Sequence, residues 1–158
     1  MDKENIKQTE LLNDLIAINT KRIKGYNNAI TWIANKNKAS IQKYFEDHRD
    51  QSIQINTTLK PLITLENIPI TDDRLPIDYA QKSNTEAKTE SCHEKDLNAI
   101  LIYCQQLETE TTLAYNQVIE QQSALNPQLL SIIESQASML LEAHKMINKI
   151  YNQIHAAT

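Results

Sequence analysis

The stretch PQLLSIIESQASMLLEAHKMINKIYNQI, residues 127–154, decides the fold. Leu130, Ile133, Ala137, Leu140, His144, Ile147, Tyr151 and Ile154 recur at steps of three and four. At about 3.6 residues per turn they line one side of a helix. A second line, Leu129, Ile132, Gln136, Met139, Ala143, Met146 and Ile150, lies beside the first and makes the face wider than a two-stranded coiled-coil seam. A helix of this kind belongs in a bundle. Two polar residues, Gln136 and His144, stand inside its apolar face.

Three other stretches can supply the facing surfaces. A first helix is expected over residues 9–35, capped by Thr9 or a polar neighbour, with Leu12, Leu15, Asn19, Arg22, Tyr26, Ala29 and Ile33 on one face and Ile16, Ile23 and Ile30 beside them. Asn19 and Arg22 interrupt that stripe at mid-length, where a buried charge is costly unless it finds a partner. Gly25 lies inside the same helix although Gly is roughly 1 kcal/mol less favourable there than Ala, which predicts close approach by another element. A second helix is expected over 40–65, capped by Ser40, with Ile41, Phe45, His48, Ser52, Ile55, Leu59 and Leu62 as its stripe. Pro61 should kink or end it between residues 59 and 65.

A third helix is expected over 94–121, with Leu97, Leu101, Cys104, Glu108, Thr111, Tyr115 and Val118 facing inward. Its start has two candidate caps, Ser91 in a capping box with Glu94, or Asp96. Pro127 sits naturally near the first position of the fourth helix, over 127–155. Residues 66–93 contain two prolines and no convincing apolar stripe, and are read as a long crossover between the second and third helices. The expected fold is all-α: one four-helix bundle of up-down-down-up type.

Composition supports this and excludes other classes. The 158 residues suffice for one domain with a sizeable core. A single Gly, four Pro and 41% hydrophobic residues leave little turn chemistry for sheets. A net charge of -4 argues against a nucleic-acid partner, because phosphate binding needs clustered Lys and Arg. The longest apolar run, residues 99–104, falls far short of the ~20 residues of a membrane span. MDKENIKQTE at residues 1–10 is polar, unlike a secretory leader, so a cytoplasmic location with Cys92 and Cys104 reduced is the expectation.

LLNDLIAINTKRIKGYNNAI (residues 11–30), CQQLETETTLAY (104–115) and the pairs Ser135–Gln136 and Ala143–His144 resemble a bacterial family of ferritin-like four-helix-bundle proteins of unknown function, many of them stress-associated. Where that family carries an acidic residue before its Gly-aromatic pair, this chain has Lys24 before Gly25 and Tyr26. The resemblance implies a ferritin-like bundle with a crossover and supplies no reaction.

Two readings of the mid-bundle polar residues compete. A ferritin-like centre for two iron or manganese ions needs a Glu from each of two helices and a Glu-x-x-His pair from each of the others. His48, Glu108 and His144 could serve, but Phe45 and Leu141 stand three residues before the two histidines, and Arg22 occupies the position where the first helix would offer a ligand. The other reading, and the expected one, has no cofactor. In it Asn19, Arg22, Tyr26, His48, Gln51, Glu108, Tyr115, Gln136 and His144 form a buried hydrogen-bonded layer around an Arg22–Glu108 pair.

Cys92 and His93 beside Glu90 and Glu94 lack the second cluster that structural zinc requires. One Gly excludes a phosphate-binding loop, and no Ser-His-Asp or Cys-His set can be assembled. The expected function is therefore non-enzymatic: a helical protein acting through its surface as a homo-oligomer or with a protein partner, in the stress-linked role the resemblance implies. Ile53, beside the second helix's stripe, is either a dimer contact or a lone surface residue. The alternative function is a ferritin-like oxidase or iron-handling protein.

Overall fold

A computed structural model describes residues 3–64 and 96–156. They form four long helices, α1 (Lys3–Ile33), α2 (Ala39–Thr64), α3 (Leu97–Glu120) and α4 (Pro127–Ala156), with a 3-10 turn at Gln122–Ala124, and no strand occurs among them.

The helix ends follow local chemistry. α1 starts six residues before the expected Thr9, because Gln8 in its second turn is buried and its Oε1 accepts a 3.0 Å bond from the Asn126 N–H, tying this end of α1 to the start of α4. It ends at Ile33 and passes into a turn in which the Lys36 N–H bonds the Ile33 carbonyl at 3.0 Å and Asn37 adopts φ +56°, a left-handed conformation that Asn tolerates better than most residues. Ser40 is not the cap of α2: the helix begins one residue earlier, and the Gln42 N–H already bonds the Lys38 carbonyl. Pro61 is carried inside the last turn of α2. Asp96 caps α3 by accepting from the Ala99 N–H at 2.8 Å, and Asn126 caps α4 by accepting from Leu129 at 2.8 Å, with Pro127 first in the helix. The rival cap Ser91 and the crossover at 66–93 lie outside the described residues.

Side-chain pairs fix the helix directions. Asn27 meets Arg49, Arg22 meets Ser52 and Thr20 meets Asn56, so α2 runs against α1. Asn28 meets Tyr103, Arg22 meets Glu108 and Asn19 meets Tyr115, so α3 also runs against α1. Gln105 meets Asn148 and Tyr115 meets Gln136, so α4 runs against α3 and along α1. α2 and α3 are therefore parallel.

The core divides in two. One apolar cluster gathers Leu12, Leu15, Leu59, Val118, Leu129 and Ile133 with their neighbours, and the other gathers Ala29, Ile33, Phe45, Ile100, Leu101 and Ile147 with theirs. Between them on α1 lie Asn19 and Arg22, both 0% exposed. Gly25 lies one turn further on, and a Cβ there would strike the Leu107 side chain of α3, with Leu107 Cγ only 3.0 Å away. This is the close approach that a mid-helix Gly predicts.

Gly25→Ala should lower stability by about 1–2 kcal/mol in urea denaturation despite Ala's better helix propensity, because buried Leu107 must leave its rotamer. With Leu107→Ala already present, the same change should be neutral or stabilising; equal loss in both backgrounds would contradict this packing.

Candidate functional site

Arg22 is the hub of the polar layer. Steps of three and four along α1 put Asn19, Arg22 and Tyr26 on one side, where α2 offers His48 and Ser52, α3 offers Glu108 and Tyr115, and α4 offers Gln136. The guanidinium meets the Glu108 carboxylate as a two-toothed fork, Nε to Oε1 at 2.8 Å and Nη2 to Oε2 at 2.8 Å. Its Nη1 donates to Ser52 Oγ at 2.9 Å and to the His48 carbonyl at 3.2 Å. Four of the five N–H groups of a guanidinium are thus engaged.

Two chains of hydrogen bonds leave this hub. In one, Ser52 Oγ donates to Asn19 Oδ1 at 2.8 Å, Asn19 Nδ2 donates to the Leu15 carbonyl at 2.9 Å and to Tyr115 Oη at 3.1 Å, and Tyr115 donates to Gln136 Oε1 at 2.8 Å. In the other, Tyr26 donates its one hydroxyl proton to Glu108 Oε2 at 2.8 Å. Its oxygen can then only accept from His48 Nδ1, 3.1 Å away, which places the imidazole proton on Nδ1. The layer therefore spans all four helices with every bond in a consistent donor-to-acceptor sense. At the rim of the same α1–α3 seam, Lys21 and Glu110 form a second buried ion pair at 2.8 Å.

Electrostatics hold the layer in one protonation state. Burial alone would lower the Arg22 pKa, but the charge and hydrogen bonds of Glu108 overcome it and raise it. Burial, then the Glu108 charge, push the Tyr26 hydroxyl and the Cys104 thiol well above their ordinary values. Tyr115 is raised by burial, against a lowering from its Asn19 bond. Burial takes His48 down to about 4, with Arg22 adding to the fall and Glu108 opposing it. Cys104 is thus a core thiol rather than a nucleophile, and His48 is neutral near pH 7 with Nδ1 committed.

The structure gathers Asn19, Arg22, Tyr26, His48, Glu108, Tyr115 and Gln136, and leaves out two residues that the sequence reading placed with them. Gln51 is half-buried with its Oε1 lacking a hydrogen-bond partner; it stands about 100° around α2 from Ser52. His144 is half-buried at the α3–α4 seam, its Nε2 3.4 Å from Thr109 Oγ1. The buried line of α4 takes Ile133, Leu140 and Ile147 from the first apolar line and Leu129, Gln136 and Ala143 from the second, so the inward face falls between the two, leaving Met139 and Met146 exposed and carrying His144 to the edge. Ser52 is the member the sequence reading missed, although it stood on the α2 stripe.

A di-iron or di-manganese centre does not fit these residues. Both Glu108 oxygens are taken by the guanidinium, Nδ1 of His48 carries a proton towards Tyr26, and His144 is elsewhere. Among the described residues no group of three His, Cys, Asp or Glu could hold a metal ion, and Cys92 and His93 lie outside them. No family model, curated protein or solved structure matches the chain.

Arg22→Met should lower stability by about 3–5 kcal/mol, because it strands a buried carboxylate, and adding Glu108→Leu should recover much of that loss. An unchanged melting temperature in Arg22→Met would contradict the layer. For pH, the unfolded chain protonates His48 near 6.5 and the folded chain near 4, so its contribution is complete above about pH 6.5 and is lost as pH falls towards 4. The wild type should therefore lose up to about 3 kcal/mol more than His48→Gln between pH 7 and 4. Parallel urea midpoints for the two proteins would contradict that shift.

Proposed function

We propose that the protein is a non-enzymatic, ferritin-like helical bundle of the cytoplasm that acts through its outer surface, by self-association or by holding a protein partner, in a stress-linked role. The observation that carries this reading is that bundle proteins build reactive sites from inward polar side chains, and here those side chains are spent on one another. The parallel course of α2 and α3 supports the ferritin-like order. No helix among the described residues is long and apolar enough to cross a membrane.

The outer surface offers apolar material for association. Met139 and Met146 are 40% and 43% exposed on α4, seven residues apart and so on one side, with half-buried Ile132 in the same line. Met adapts to irregular partner surfaces, which suits a contact of this kind. Ile53 of α2, 44% exposed, lines a shallow groove with Ile23 of α1 and is a second, smaller patch.

Light scattering on a sizing column should give a mass above the 18.1 kDa of one chain, and Met139→Glu with Met146→Glu should return it to one chain without loss of helical circular dichroism. A wild-type protein that stays at one chain's mass at the highest soluble concentration would remove the self-association reading.

A further inference from the structure

We infer that the middle of the bundle is a cation site that the chain fills with its own guanidinium, and that removing Arg22 turns Glu108, His48 and Tyr26 into a site for a divalent transition metal. This is independent of what the outer surface does. Three donor atoms from three helices lie close together: Glu108 Oε2 is 2.8 Å from Tyr26 Oη and 3.4 Å from His48 Nδ1, and Tyr26 Oη is 3.1 Å from His48 Nδ1. Carboxylate oxygen, imidazole nitrogen and phenol oxygen are donors that first-row transition metals accept, and all three groups are buried. In the wild type this cluster is held together by the hydroxyl proton of Tyr26, the Nδ1 proton of His48 and the charge of Arg22.

Charge decides between the two occupants. Glu108 with Arg22 is neutral, and a divalent ion added beside the guanidinium would leave a buried excess of two positive charges. Without Arg22 the same cluster carries one buried negative charge and lacks a counterion. The vacated volume, fully enclosed in the wild type, gives room for an ion and its water ligands. His48 needs only to move its proton from Nδ1 to Nε2 to offer a lone pair to the ion.

Cobalt(II) is the probe, read by its visible ligand-field absorption and by melting temperature. The wild type should show neither an absorption band nor a shift in melting with added cobalt. Arg22→Ala should bind one equivalent with a visible band and melt higher as cobalt is added, and a further Glu108→Gln or His48→Ala should weaken that binding at least about tenfold. Should Arg22→Ala be unfolded on its own, cobalt should restore its helical circular dichroism. A cobalt band in the wild type that His48→Ala abolishes would overturn the inference, as would an Arg22→Ala protein that neither binds cobalt nor is refolded by it.

Discussion

The constraint on which the structure depends is the burial of one full positive charge. A guanidinium with no exposed surface is tolerable only against a carboxylate in matching geometry with most of its other protons engaged, and here Glu108, Ser52 and the His48 carbonyl take four of its five N–H groups from two other helices. That requirement sets the register of the bundle. A slip of α2 or α3 by one turn, about 5.4 Å, would leave apolar surfaces still able to pack but the charge without partners. Apolar packing supplies the drive to assemble, and the polar layer selects one assembly from the many that oily helices allow.

The division of the core follows from the same cause. The polar layer lies across the middle of the molecule and leaves an apolar cluster on each side. The two are unequal. α4 sends Leu129, Ile133 and Leu140 into one cluster, but only Ile147 is fully buried in the other, where Ile150, Tyr151 and Ile154 pack half-buried. Of the hydrogen-bonded layer α4 supplies only Gln136, at the end of the chain through Tyr115. Its C-terminal half is thus held by few buried groups, Ala143 and Ile147, and it carries the exposed Met146. Tight closure elsewhere is local: Gly25 lets α3 bring Leu107 against the α1 backbone one turn from the hub.

Helix type and number were legible because amphipathic spacing is dictated by core burial, and all four stretches carry it over six turns or more. Arg22 and Glu108 were legible as a pair because each interrupts an apolar stripe with a charge of opposite sign. What spacing cannot resolve is rotation by a fraction of a turn. α4 has two adjacent apolar lines, and its inward face falls between them, which moves His144 from the layer to the seam with Thr109. Gln51 failed for a related reason, since a long amide next to a stripe reads as inward while Ser52, short and unremarkable in a sequence, reaches the guanidinium. The early start of α1 was hidden because its anchor, Gln8 to the Asn126 backbone, is a contact 118 residues apart in sequence.

The claim that Arg22 is fully enclosed and fixed at the hub is tested most directly by nitrogen-15 NMR of the arginine side chains. Arg22 should give a separate Nε–H signal and distinct Nη signals that persist at neutral pH and exchange with deuterium as slowly as core amides. Arg49, at the surface beside Asp50, should exchange quickly in the same sample. An Arg22 side chain that exchanges as fast as Arg49, with its Nη signals averaged by free rotation, would contradict it.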